Sequence, residues 1–312
     1  ENNSMERIIE WNYLCDELGM DTISTGGVIG FAMELQEKGL WDCGLRFGKT
    51  DNIAEAIENI AYRRGIGDLL AEGTRRLSER FGGKDFAIHA KGLELAAYEP
   101  RGAVGQGLGY ATANRGGCHL NAGYLVLMEG LGLGMNPYTH RAKAALTILN
   151  QNLMEGISAA GCCLFPLFSF YPGWLITHQS NPIAKFVNAV LPLSGPIVGL
   201  LNRMPASMMP IHLPLFPYTK ALAAVTGMKM NVGVLKSIGE RGFNLERLNN
   251  IRMGLTAQED TLPKRLTDEP QNPSDTRTRV PLGKMLGTYY RIRGWDASGA
   301  PSEKKQKALG LK

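Results

Sequence analysis

Cysteine is scarce, with five in 312 residues, at positions 15, 43, 118, 162 and 163. That is too few for an extracellular disulfide framework, so a reduced, cytoplasmic setting is expected. The chain has no CxxC, HExxH or Walker sequence, so spacing alone proposes neither a closed tetrahedral metal centre nor a phosphate loop. It also lacks any run of five or more Lys or Arg; the net charge of +5 is scattered and indicates no nucleic-acid partner. Glu1-Asn2-Asn3-Ser4-Met5 has no basic or apolar leader and no Met at position 1, which fits a chain that begins inside a longer protein. Charge itself is locally missing: from Gly156 to Thr219 only Lys185 and Arg203 are charged. Prolines from Pro166 to Pro217 interrupt that stretch, whereas a spanning helix wants roughly 20 uninterrupted apolar residues, so a membrane span is not expected. Burial in the core or in a subunit interface remains open, as does a lid or a surface-attached apolar patch.

What is present is ordinary globular material, 44% hydrophobic and 20% charged, enough for one or two cores. Residues 4–92 read as helices. Ile8, Ile9, Tyr13 and Leu14 recur at helical spacing, as do Ile53, Ala54, Ile57, Ile60 and Ala61 behind a candidate N-cap, Asp51. Between Gly92 and Gly134 glycine becomes frequent, which reads as loops suited to a site more than to a core. Helical pattern resumes over 139–159 and 231–253, and a last helix is expected over 282–293 after a polar surface loop at 268–279. The fold class is mainly α, in two helical domains, 1–92 and 93–312.

Two carboxylates flank Gly19 in Cys15-Asp16-Glu17-Leu18-Gly19-Met20-Asp21, where one helix would end and the next begin. Either could accept hydrogen bonds from a donor-rich ligand such as an aminopyrimidine edge, and Asp21 could equally cap the following helix. Gly161-Cys162-Cys163 closes another helix; adjacent cysteines rarely share one small cluster, so at most one binds metal, and buried inert thiols are the plain alternative. His119, after Arg115-Gly116-Gly117-Cys118, offers an imidazole that titrates near neutrality, against a structural histidine as the simpler reading. Tyr98-Glu99-Pro100-Arg101-Gly102 offers a phenol and a guanidinium, or merely a turn fixed by Pro100.

Taken in order, these segments resemble the tungsten-containing aldehyde:ferredoxin oxidoreductase family. The resemblance rests on Asn12-x-x-Cys-Asp-x-x-Gly-x-Asp-Thr-Ile-Ser, Tyr98-Glu-Pro-Arg-Gly-Ala, Gly107-Leu-Gly-Tyr-Ala-Thr-Ala-Asn-Arg-Gly-Gly-Cys-His-Leu, Gly239-Glu-Arg-Gly-Phe-Asn-Leu-Glu-Arg, and Met285-Leu-Gly-Thr-Tyr-Tyr-Arg-Ile-Arg-Gly-Trp-Asp. It covers residues 6–170 and 215–311 and leaves an apolar insert at about 172–214 unmatched. It implies that 1–92 is family domain 2, incomplete at its N-terminus, and that 93–312 is family domain 3.

The resemblance implies a tungsten or molybdenum bis-pterin and a [4Fe-4S] cluster, acting on a small aldehyde and passing electrons to ferredoxin or an iron-sulfur subunit. Asp16, Gly19, Met20 and Asp21 would contact one pterin. Ser158, Gly161, Cys162 and Cys163 match the DxxGLC motif that contacts the other, with Cys163 as a cluster ligand. His119 falls beside the metal and Tyr98 in the substrate pocket. Cys15, Cys43, Cys118 and Cys162 inherit no ligand role.

This chain departs from the pattern in three places. The CxxCxxxC supplying the other three thiolates would lie in a missing N-terminal half or a partner chain. Ser158 replaces an aspartate, exchanging charge-assisted bonds for weaker neutral ones. The charge-poor insert is longer than members usually carry. An aryl-CoA reductase-type subunit with the same cofactor, and a non-catalytic scaffold subunit that kept the fold, are the alternatives. A homo-oligomer is compatible with the apolar insert.

Overall fold

The computed structural model describes residues 2–131, 135–166, 182–209 and 217–312. The parts of the apolar insert at 172–181 and 210–214 lie outside the described residues. The chain forms two compact units, the first made of Glu1–Tyr98, Arg115–Cys118 and Leu262–Arg265, the second of Glu99–Asn114, His119–Thr261 and Leu266–Lys312.

The first unit opens with α1 (Met5–Glu17), α2 (Thr22–Glu37), α3 (Ile53–Ala61), α4 (Ile66–Leu70) and α5 (Gly73–Phe81). A two-residue antiparallel hairpin follows, β1 (His89–Ala90) with β2 (Leu93–Glu94), in register His89 to Glu94. It is too short to leave a period-two signal, and it went unread in the sequence. Leu35, Leu45, Ile57, Leu70 and Leu77 form the core, with Trp41 stacked on Phe81 at 4.5 Å between ring centroids. Asp51 is not the cap of α3: Asn52 occupies that position and makes no side-chain capping bond. Buried Glu94 instead serves α5, accepting from the Thr74 N–H at 2.8 Å and so satisfying one free donor of that helix start.

The second unit contains α6 (Val104–Thr112), α7 (Lys143–Ala159), α8 (Pro182–Val190), α9 (Gly195–Arg203), α10 (Tyr218–Thr226) and α11 (Val232–Arg252). After the single turn α12 (Lys264–Thr267), whose first two residues count with the first unit, come α13 (Leu282–Arg293) and α14 (Glu303–Ala308). The expectation that 282–293 is the last helix is therefore corrected. The six-residue α14, capped by Ser302, is polar except for Ala308 and gave no apolar period. The glycine-rich stretch is corrected too, since every residue of α6 is buried. Its glycines admit neighbouring backbone: a Cβ on Gly109 would lie 2.1 Å from the Ala122 carbonyl oxygen.

Helices α7 and α11 approach backbone to backbone in the same way. A Cβ on Gly239 would fall 1.8 Å from the Asn152 oxygen, and one on Gly156 would fall 2.6 Å from the Leu235 oxygen. Beside this contact Arg293 lies over Phe243 at 3.9 Å and hydrogen-bonds Asn152 and Gln151, and Tyr289 donates to Gln151 at 2.6 Å. Arg247 pairs with Asp260 through two bonds of 2.9 and 2.8 Å, all of it buried. Arg293 thus ties α13 to α7 and α11, with its Nε left without a partner, while Arg247 ties α11 to the loop at Asp260.

Gly239→Ala is expected to lower stability by about 1–3 kcal/mol, because the helices must separate. Gly283→Ala, in α13 with open space around the added methyl, is expected to raise it by about 0.5–1 kcal/mol through helix propensity. Thermal unfolding followed by circular dichroism compares the two; equal effects would contradict the helix contact.

Candidate functional site

The motif residues sit on two helix ends that are built alike. At the end of α1, Gly19 has φ of +66°, its N–H donates to the Asp16 oxygen at 3.2 Å, and the Met20 N–H donates to the Cys15 oxygen at 2.8 Å. At the end of α7, Gly161 has φ of +69°, its N–H donates to the Ser158 oxygen at 2.9 Å, and the Cys162 N–H donates to the Ile157 oxygen at 3.1 Å. Both are Schellman turns, which need a residue tolerant of the left-handed region at the glycine position. Asp16, Gly19, Met20 and Asp21 thus correspond turn for turn to Ser158, Gly161, Cys162 and Cys163.

In the first unit Asp16 is exposed and accepts from Asn12 Nδ2 at 3.2 Å. Asp21 is exposed and accepts from the Ser24 N–H at 2.7 Å, so it does cap α2. That bond engages only Oδ2, and capping and ligand contact are compatible at this carboxylate. Burial pushes the Cys15 and Cys43 thiols up from their ordinary value, which keeps both neutral.

In the second unit Ser158, Gly161, Cys162 and Cys163 are all exposed. The plain reading of the cysteine pair as buried thiols is therefore overturned: the chain leaves the turn outward and both sulfurs reach the surface. The loop is fixed from outside its own sequence, since the buried Tyr218 of α10 donates to the Cys163 oxygen at 2.6 Å and lies 3.1 Å from the Leu164 oxygen.

His119 is half-buried in the second unit. Its carbonyl oxygen accepts from the Tyr124 N–H at 3.1 Å and from Gln106 Nε2 at 3.3 Å, so its backbone is held twice. Its ring faces Tyr124 at 5.7 Å between centroids, and Tyr124 meets Phe165 edge-on at 6.3 Å. A line of rings therefore connects His119 to the loop carrying Cys163. Tyr124 adopts φ of +51°, unusual for a bulky residue and a sign that its surroundings over-determine it.

Beneath lies a fully buried ion pair, Lys143 with Glu129. Glu129 also accepts from the Gly105 and Gln106 N–H groups at 2.8 and 3.0 Å, closing the start of α6. Burial raises the Glu129 carboxyl and lowers the Lys143 amine, each opposed by its partner. Removing one partner of such a pair typically costs about 3–5 kcal/mol, so it serves as a rigid support under Gln106.

Tyr98, half-buried at the end of the first unit, donates its N–H to the Ala96 oxygen at 2.6 Å. The neighbouring Arg101 is engaged by Glu99 at 2.9 Å within the turn Pro100–Gly102.

Sequence reasoning missed Gln106, Tyr124, Glu129, Lys143, Phe165 and Tyr218. Only Gln106 carried a usable signal, a polar residue between two glycines of the glycine-rich stretch; the others act through partners distant in the chain. Among the described residues no group of three or more His, Cys, Asp or Glu side chains gathers to hold a metal.

Residues 1–311 match a family model described as aldehyde ferredoxin oxidoreductase, domains 2 & 3. The chain is 40% identical over 323 residues to a tungsten-containing aldehyde ferredoxin oxidoreductase of Pyrococcus abyssi, covering 99% of this chain and 46% of that protein. The protein of the same description from Pyrococcus furiosus is 39% identical over 322 residues, again covering 99% and 46%. The chain thus spans about half the length of the curated relatives it matches. A WOR-like subunit of an aliphatic sulfonate oxidoreductase from Pyrococcus furiosus is 35% identical over 133 residues, covering 38% of this chain and 21% of that protein. Among solved structures, the active site complex BamBC of benzoyl coenzyme A reductase, in complex with 1,5 dienoyl-CoA, aligns with a TM-score of 0.55 at 20% identity. It covers 94% of this chain and 44% of that one, a likeness of fold.

Tyr218→Phe removes the donor that holds the Cys163 carbonyl and is expected to cost about 1 kcal/mol. Hydrogen exchange of the peptide spanning 160–166, read by mass spectrometry, should accelerate in this variant; unchanged exchange would mean that Tyr218 does not position the loop.

Proposed function

Because the chain belongs to the aldehyde ferredoxin oxidoreductase family, as its domains 2 and 3, we propose that it is the helical part of a tungstopterin enzyme that oxidises an aldehyde to a carboxylate. The observation that carries the proposal is the repeated helix end, in which Asp16 to Asp21 and Ser158 to Cys163 fold into the same turn and leave Asp16, Asp21, Ser158, Cys162 and Cys163 exposed. A pterin presents an aminopyrimidine edge rich in N–H donors, and exposed carboxylate and hydroxyl acceptors on rigid turns suit it. The residues present therefore fit the group.

In this reading Asp16 and Asp21 accept from one pterin, with Asp21 using the oxygen not engaged by Ser24. Ser158 accepts from the other more weakly, since a hydroxyl replaces a charge. Met20 and Cys162 occupy the same position of the two turns and contact the pterins beside Gly19 and Gly161. Cys163 provides one thiolate to a [4Fe-4S] cluster. The other three come from a CxxCxxxC in the part of the protein outside these 312 residues, on the same polypeptide or on a partner chain.

When bound, a tungsten bis-pterin supplies the two-electron oxidation. The overall reaction takes an aldehyde and water to a carboxylate, three protons and two electrons, and the electrons leave through the cluster to ferredoxin in the cytoplasm. His119 takes a proton from the reacting oxygen on its imidazole, whose ordinary pKa near neutrality suits it to both taking and releasing one. Gln106 and Tyr124 hold the His119 backbone, and Tyr124 backs its ring. Tyr98 orients the aldehyde oxygen through its hydroxyl.

In the complete protein, Cys163→Ser is expected to lose cluster iron, while His119→Ala retains tungsten and iron and loses roughly 100-fold or more in turnover. Metal analysis together with aldehyde oxidation assays checks both. Full iron retention in the first variant, or unchanged turnover in the second, would remove that residue from its role.

A further inference from the structure

The second unit contains a cavity of about 700 Å³ whose lining includes Arg141, Arg203, Lys284 and Arg291, beside Pro196 and Leu200 of α9. No Asp or Glu lines it, and among the described residues none of these four cations forms an ion pair. Four like charges around one hollow repel, and an anion placed there removes that repulsion. The surrounding sequence has the same bias, since from Gly156 to Gly239 there is no Asp or Glu at all, while Lys185, Arg203, Lys220, Lys229 and Lys236 are present.

Next to the cavity runs an apolar surface that stays exposed among the described residues. Helix α9 is anchored on one side, where Val198 is buried against Leu125, Met135, Ala145 and Leu146, and Asn202 donates to the Ala145 oxygen at 2.8 Å. The buried Lys236 amine fastens the end of α9 by donating to the Asn202 and Met204 oxygens at 3.0 Å each. Its outer face carries Ile197 and Leu200, 65% and 62% exposed. The preceding turn exposes Leu193, and α8 exposes Phe186 and Val190 beside Lys185. Apolar residues every three or four positions, flanked only by cations, match the composition of a helix lying in a lipid interface.

We propose that the outer faces of α8 and α9, with the cationic cavity at Leu200 and Arg203, form a docking surface for an anionic phospholipid bilayer. Headgroup phosphates enter the cavity, and Phe186, Val190, Leu193, Ile197 and Leu200 settle at the boundary of the acyl chains. Attachment is peripheral, as no helix among the described residues is long and apolar enough to span a membrane. A second copy of the chain suits this face less well, because a two-fold contact centred there sets the cations of one cavity against those of its image.

The test is flotation of the complete protein with vesicles of phosphatidylcholine alone or in equimolar mixture with phosphatidylglycerol. The protein should float with the mixed vesicles at low salt and be released as salt rises. Arg203→Glu/Arg291→Glu should weaken partitioning roughly tenfold or more, and Ile197→Ser/Leu200→Ser should weaken it at every salt concentration, both with oxidoreductase turnover unchanged. Equal partitioning to neutral and mixed vesicles, or variants that float like the parent, would overturn the proposal. Failure of the parent to float while it binds inorganic phosphate in the cavity, or while Ile197→Ser/Leu200→Ser converts a dimer to a monomer, would also overturn it. The former outcome would reassign the cavity to a soluble anion and the latter the apolar face to self-association.

Discussion

The close approach of α7 and α11 sets the rest of the second unit. Gly156 and Gly239 bring two backbones to distances that no side chain tolerates, and this fixes the direction of α7. Its far end then delivers the turn at Gly161, and its start delivers Lys143 to Glu129 beneath Gln106 and His119. Buried charge follows the same logic: Arg247, Arg293 and Lys143 are fully buried, and each is matched to a carboxylate, amide or carbonyl group. Such groups add little net stability relative to apolar replacements but are costly when misplaced, so they favour one packing over its neighbours.

Much of this was legible because helices announce themselves. Asp21 is a capping residue in front of an apolar run, and it does cap. The motif glycines at 19 and 161 stand where helices end, and both adopt positive φ there. Legibility failed where periodic contrast was absent. Helix α6 is buried on all sides, so its sequence has no polar face to mark it, and its glycines imitate a loop. Tyr218 holds a loop 55 residues earlier in the chain, and no local pattern encodes such a partner. Asp51 was a reasonable cap by residue type, but Asn52 took the position.

Asp16, Asp21, Cys163 and His119 were candidates from their motifs and from the family those motifs resemble, while the groups that support them could not be read. The supports are long-range by nature: Gln106 and Tyr124 around His119, Tyr218 under Cys163, and the Lys143–Glu129 pair below. Presenting reactive or ligating groups on rigid helix ends and securing them from distant elements keeps them in place without their own packing. The exposure of Cys162 and Cys163, contrary to the usual burial of free thiols, fits a loop kept for contact with something beyond the chain.

Whether the twin helix-end turns grip pterin is tested most cleanly at Asp16, because this exposed carboxylate caps no helix and its conversion to Asn preserves shape. Pterin released from the complete protein and quantified per polypeptide should fall well below the parent's level in Asp16→Asn, with thermal unfolding unchanged. Parental pterin content in that variant would contradict the claim.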